Sequence, residues 1–140
     1  YLNKVSGPLL DRIDLHVEVT PVSYNELSDN EFKSESSADI AERVVKAREF
    51  QVQRFNKYDD IYCNAQMPSR MVREVCQVSK PGLILVRKAM EKLQLSARAY
   101  DRILKVARTS ADLSGSEEIK IEHLAEAIHF RSLDRENWAG

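Results

Sequence analysis

Two arginines in this chain stand where a nucleotide phosphate could be met. Arg12 lies in Ser6-Gly7-Pro8-Leu9-Leu10-Asp11-Arg12-Ile13-Asp14-Leu15-His16, between an apolar turn and a strand-like run. Arg98 lies in Leu95-Ser96-Ala97-Arg98-Ala99-Tyr100-Asp101-Arg102-Ile103-Leu104-Lys105-Val106-Ala107-Arg108, in the opening turn of an amphipathic helix. A guanidinium is permanently charged and offers a planar fork of donors, so it can stabilise charge that builds on transferred phosphoryl oxygens. Arg12 projects from the end of a rigid element, which suits a group delivered to a neighbour's nucleotide. The same spacing also fits an ion pair with Asp11 or Asp14. At Arg98 the unpaired N–H groups and the positive end of the helix dipole already favour an anion, and an ordinary surface arginine is the alternative. Arg102 and Arg108, on successive turns, read as surface or interface ion pairs.

Other chemistries find less support. A phosphate-cradling loop needs G-x-x-x-x-G-K-[ST], but the glycines here are Gly7, Gly82, Gly115 and Gly140, and none precedes a lysine. No apolar run ends in paired acids that would hold Mg²⁺ and activate water. The 140 residues by themselves are therefore expected not to hydrolyse ATP, and the start at Tyr1 reads as a piece of a longer protein. His16, His123 and His129 lack metal-ligand spacing and read as surface or packing residues. Cys63 and Cys76 have no further His or Cys at ligand spacing, so free thiols in a reducing cytoplasm are the expectation. The Asp11/Asp14 and Glu117/Glu118 pairs read as turn and cap residues. Formal net charge is −1, which excludes a global basic field, although residues 43–108 hold most of the Lys and Arg. No apolar run reaches the length of a membrane span.

The elements that must position the two arginines follow from periodicity. Ile13, Leu15, Val17 and Val19 alternate with polar residues, so residues 14–20 read as one half-buried strand, closed by Pro21. A lone strand needs a sheet to join. Residues 22–37 are polar and acidic and read as a linker. Ile40, Val44, Ala47 and Phe55 then mark a helix from Ser37 to about Asn56, with Ser36 and Ser37 as candidate N-caps and Asp39 in the first turn. Residues 58–66 read as a loop, and Pro68 as the first residue of a short helix reaching about Gln77. A helix from Pro81 would bury Leu83, Ile84, Val86, Ala89, Met90 and Leu93. The next, capped by Ser96, would bury Ala99, Tyr100, Ile103, Val106, Ala107 and Ala111 and end at Ser114-Gly115. A last helix, from about Ile121 to Ser132, would bury Leu124, Ala125 and Ile128, with Trp138 beyond it. The fold class is therefore mainly α: a bundle of about five helices after one strand.

The two arginine segments resemble the L-L-x-R-[IF]-D-L and S-[AV]-R patterns of AAA+ ATPases, in particular the C-terminal part of the Mg-chelatase-like proteins of the ComM/YifB branch. Cys63-Asn64-Ala65-Gln66, Ala107-Arg108-Thr109-x-Ala111-Asp112-Leu113 and Glu126-Ala127-Ile128-x-x-Arg131-x-Leu133-Asp134 are similar to that branch more closely than to true chelatase subunits. Ser110 departs from the pattern, which favours an aliphatic residue there, and residues 22–58 match weakly.

The resemblance implies that residues 1–21 end an α/β ATPase core, with the strand as its remnant, that 22–37 link, and that 38–140 form a helical lid. It implies roles for Arg12 as an arginine finger and Arg98 as a sensor-2 arginine. It further implies a cytoplasmic homo-hexamer with ATP and Mg²⁺ held by the upstream core, none of them expected on this chain by itself. DNA is the implied partner, through branch migration in recombination and competence, and no membrane. Two alternatives remain at this point: a subunit that drives Mg²⁺ into a porphyrin, and a helical interaction module without enzymatic work.

Overall fold

The computed structural model describes Leu9, residues 12–19, Pro21 and residues 35–132. The expected linker across 22–34 and Trp138 lie outside the described residues. Among those described there are five α-helices and one 3₁₀ turn. Helix α1 (Ser37–Phe55) starts on Ser36, whose hydroxyl accepts the Asp39 N–H at 3.2 Å. The 58–66 stretch is a loop interrupted by the 3₁₀ turn Asn64–Gln66. Helix α2 (Ser69–Val75) is shorter than its pattern suggests, with Pro68 as the N-cap rather than the first helical residue. Helix α3 (Lys80–Lys92) is capped by Ser79, which accepts the Gly82 N–H at 3.4 Å, and carries Pro81 in its opening turn, where a missing N–H costs nothing. Helices α4 (Ala97–Leu113) and α5 (Ile121–Ser132) complete the bundle.

No strand forms at residues 14–19, and Thr20 is not among the described residues. A strand exists only through a hydrogen-bonded neighbour, and none runs beside this segment among the described residues. The segment instead lies on the helices: the His16 N–H donates to the Phe130 carbonyl at 3.0 Å and the Arg131 guanidinium donates to the Ile13 carbonyl.

Helix α4 sits at the centre, packed against α1, α2, α5 and the 3₁₀ turn, while α3 packs on α5. Its Ala99, Ile103, Ala107 and Ala111 form one buried stripe at i, i+4 spacing. Beside it runs a second buried stripe, Leu104, Arg108 and Asp112, which the apolar periodicity does not reveal. The core joins these to Phe55, Met67, Met71, Val72, Cys76, Val86, Ile119, Leu124 and Ala127.

Three faces differ from their sequence pattern. On α1 the expected Ile40 and Val44 are 42% and 41% exposed, because the helix packs through Ala47, Gln51 and Phe55 and its first turns stand clear of the bundle. On α3 the expected Leu83 and Ile84 are 42% and 53% exposed. Gly82 faces inward instead: a Cβ there would stand 2.7 Å from the Leu124 side chain and 2.6 Å from Val78, so the absent side chain is what lets α3 close on α5. That contact rotates α3 onto Gly82, Leu85, Val86, Met90 and Leu93. On α5, Ala127 is buried where Ala125 was expected, since Leu124, Ala127 and Arg131 share the inward stripe and Ala125 faces solvent.

Two Schellman motifs set the helix exits. After α3 the Leu95 N–H returns to the Met90 carbonyl at 3.0 Å and the Gln94 N–H to Glu91 at 3.3 Å, with Gln94 at φ 46°. After α4 the Ser116 N–H returns to Ala111 at 2.8 Å and the Gly115 N–H to Asp112 at 3.1 Å, with Gly115 at φ 67°. The first turns the chain directly into the Ser96 cap, and so fixes where Arg98 stands. Nothing lies within 4 Å of a Cβ built on Gly115, so Gly115→Ala adds only the left-handed backbone cost. We expect it to lower stability by about 1 kcal/mol, read as a lower urea midpoint at constant m value.

Candidate functional site

The site is built from α4 outward. One carboxylate organises it: Asp112, 2% exposed, accepts from both Arg54 terminal nitrogens at 2.8 and 2.6 Å, from Arg108 Nε at 3.1 Å and from Asn64 Nδ2 at 2.8 Å. Arg54 Nη1 also donates to Asn64 Oδ1 at 2.9 Å, and the Asn64 N–H donates to Gln51 Oε1 at 3.0 Å. Arg108 spends its remaining donors on the Glu117 and Ser116 carbonyls at 2.7 and 2.6 Å. The network thus pins α1, the 3₁₀ turn and the loop after α4 to α4 itself. Arg108 was expected at the surface. It is buried because the i, i+4 partner Asp112 and two loop carbonyls satisfy it there, and burial pushes its pKa down while the facing Asp112 works the other way.

At the opposite end of α4, Ser96 Oγ accepts the Ala99 N–H at 3.2 Å, which leaves the Ala97 and Arg98 N–H groups without an intrahelical partner. Arg98 is exposed, and its guanidinium is engaged by no group among the described residues. One turn further on, Arg102 forms an ion pair with Asp14. The local partner that the sequence left open for Arg12 is therefore taken by Arg102, and Asp11 lies outside the described residues. Arg12 itself is exposed in a turn, its N–H donating to the Leu9 carbonyl at 3.0 Å. The structure so brings the Arg12 segment onto the helix that carries Arg98, two residues from one and one turn from the other. The geometry can present two uncommitted guanidinium groups and a helix N-terminus to an anion.

The histidines hold no metal-like cluster among the described residues. His123 is a packing residue: it is buried, Nδ1 accepts the Lys120 N–H at 3.1 Å and Nε2 meets the Ser114 hydroxyl at 3.2 Å. Ser110 turns its hydroxyl onto the Glu126 carboxylate of α5.

The family described as magnesium chelatase, subunit ChlI C-terminal, matches residues 34–131, and the family described as magnesium chelatase, subunit ChlI, matches residues 1–27. This chain belongs to the magnesium chelatase ChlI C-terminal family. Within it the chain is 42% identical over 135 residues to the competence protein ComM of Haemophilus influenzae, and 41% identical over 135 residues to the uncharacterized protein YifB of Escherichia coli. Both alignments cover 96% of this chain and 26% of the relative, so the chain spans about a quarter of the length of these relatives. An uncharacterized Mycobacterium bovis protein is 35% identical over 131 residues. It is a ComM/YifB-type, Mg-chelatase-like chain.

Read on the structure, the family motifs divide by purpose. Asn64 in one and Arg108, Thr109 and Asp112 in another are members of the buried network, with Thr109 Oγ1 receiving the second Asn64 Nδ2 bond at 3.0 Å. Those residues build the platform, and Arg12 and Arg98 stay exposed outside the buried network. Sequence reading missed the network as a network. The signal was present in the 104, 108, 112 spacing, where charged residues continue an apolar stripe with opposite signs one turn apart.

Two outcomes follow. Asp112→Ala strands the buried Arg108 guanidinium and removes the main partner of the part-buried Arg54, and we expect a loss of about 3 kcal/mol in chemical denaturation. Burial pushes the Cys76 thiol up to about 11, and the nearby Arg108 and Arg54 charges only partly offset it. At pH 8 Cys76 stays protonated and inert, whereas the half-buried Cys63 alkylates first. Peptide mass mapping after iodoacetamide treatment should show Cys63 modified in the native protein and Cys76 only after unfolding.

Proposed function

We propose that this chain is the lid-bearing part of an AAA+ ATPase of the ComM/YifB type, and that it supplies two arginines to ATP sites formed between subunits of a hexamer. The observation that carries the reading is Arg98, an exposed and uncommitted arginine in the first turn of α4, where two backbone N–H groups have no intrahelical partner. A phosphate oxygen fits that arrangement: the dipole and the N–H groups favour the anion and the guanidinium adds a charged, two-pronged donor. Arg12 would face the nucleotide of the adjacent subunit and stabilise charge on the transferred phosphoryl oxygens. ATP supplies the transferable phosphoryl group, and the residues that hold it and its Mg²⁺ would belong to the core of the same protein outside this chain. The Haemophilus influenzae relative is named a competence protein. This supports DNA as what the motor acts on, by branch migration or related remodelling, over metal insertion into a porphyrin.

The reading is tested in the full-length protein. Arg98→Ala should lower kcat/KM for ATP about 100-fold, while circular dichroism and melting stay as in the wild type because the side chain is exposed. Wild-type turnover in the folded variant would return Arg98 to an ordinary surface role. Arg12→Ala should lower turnover by about a thousandfold or more, and the loss should be rescued in trans. Mixing Arg12→Ala subunits, intact in their phosphate loop, with phosphate-loop-dead subunits that keep Arg12 should restore hydrolysis from two inactive proteins. Demonstrated co-assembly without recovery would remove the finger role.

A further inference from the structure

Three consecutive residues of the Arg12 segment meet the helical bundle in different ways. Arg12 points a free guanidinium to solvent. Ile13 has its carbonyl held by Arg131, a guanidinium 1% exposed at the C-terminal end of α5. Asp14 is ion-paired to Arg102 of α4, and His16 adds a backbone bond to Phe130 at 3.0 Å. Three contacts on two helices restrict the translation and rotation of a short segment. None of them is needed to complete the core, because the core cluster closes without residues 12–16.

We propose that Arg102 and Arg131 are positioning residues that clamp the Arg12 segment to the lid, so that Arg12 and Arg98 are positioned together. The inference rests on the reading of Arg12 and Arg98 above and deepens it: it adds the link by which the two sites are regulated together. Arg98 is one helical turn from Arg102, so a shift of α4 on phosphate contact carries Asp14, and with it Arg12, in the same direction. Occupancy sensed at one ATP site is thereby passed to the arginine presented at the other. Arg131 suits the fixed end of such a clamp. A buried guanidinium cannot leave its carbonyl without a large desolvation cost, whereas the part-exposed Arg102–Asp14 pair can yield and re-form.

The test uses two readouts on the full-length protein. Hydrogen exchange of the peptide spanning residues 12–19 reports the clamp whatever Arg12 does. Arg102→Asp and Asp14→Arg should each speed exchange at His16 about two- to fivefold, and the double charge swap should return it to the wild-type rate. Arg131→Lys, which keeps the charge but not the reach, should speed it about tenfold; should that variant unfold, the Arg102 and Asp14 variants decide alone. ATP kinetics report the positioning. The single charge variants should lower kcat while KM moves less than about twofold, as for a group acting on the transition state, and the swap should restore kcat. Exchange that is unchanged in both single variants overturns the clamp. Exchange that rises and recovers while kcat never moves overturns the positioning role. Arg12→Ala is the separating control: wild-type turnover there sinks the finger reading, while the exchange data still judge the clamp.

Discussion

The Asp112 carboxylate sits between two guanidinium groups in a nearly dry interior, and the arrangement of α4 depends on it. Arg54 comes from α1 and Arg108 from α4 itself, so one acid neutralises only part of the local positive charge. The remainder is offset by Asn64 Oδ1 and by the Ser116 and Glu117 carbonyls. Such a network gains little net energy over well-packed apolar side chains, because each ion loses its hydration first. Its consequence is geometric. Apolar faces tolerate sliding and rotation, whereas four directed bonds to one carboxylate group, with those among its neighbours, admit one register of α1 against α4. The N-terminal end of α4, and with it Arg98, is then fixed relative to the rest of the bundle by a contact near the helix's far end.

That dependence explains what the chain reveals on reading and what it withholds. Helix positions, the Ser36, Ser79 and Ser96 hydroxyl caps for three of them, and the Gly115 exit follow from local chemistry, so Ser96 and Gly115 could be read directly. Facing could not. Leu83 and Ile84 are as apolar as Leu85 and Val86, and only the close approach of Gly82 to Leu124, a contact between distant helices, selects which pair turns inward. Ile40 and Val44 satisfy the helical period as well as Ala47 does, yet α4 ends before it can cover them. Gln94 takes a left-handed conformation that its side chain does not advertise; the Schellman bonds impose it. The strand pattern of residues 14–19 describes what that segment offers to a sheet, and pairing is a property of the neighbour as much as of the strand.

The candidate site was legible in a different way. Arg12 and Arg98 were found by their motifs and both lie exposed, but the arginines that support them carry no local mark of their role. Arg54, Arg102 and Arg131 look in sequence like any cation on a helix. Their partners lie far along the chain: Asp112 for Arg54, Asp14 for Arg102, the Ile13 carbonyl for Arg131. Periodicity sees only neighbours, so a bond across the fold leaves no trace in it.

Burial sorts these arginines by what each can do. A guanidinium taken out of water must have its donors satisfied in place, and once satisfied it cannot turn to a ligand without stranding its partners. Arg108 is in that state and can only hold structure, while Arg131, 1% exposed, holds the Ile13 carbonyl. Arg102 is intermediate, with a quarter of its side chain exposed, and its bond to Asp14 can exchange with water at modest cost. Arg12 and Arg98 are exposed, and each keeps its guanidinium donors uncommitted among the described residues. Asp112 orients α4 from one end, and Arg102 and Arg131 hold the Arg12 segment at the other. A side chain that must be presented at a defined angle needs a stiff base, and the buried Asp112, Arg108 and Arg131 belong to the base beneath Arg12 and Arg98.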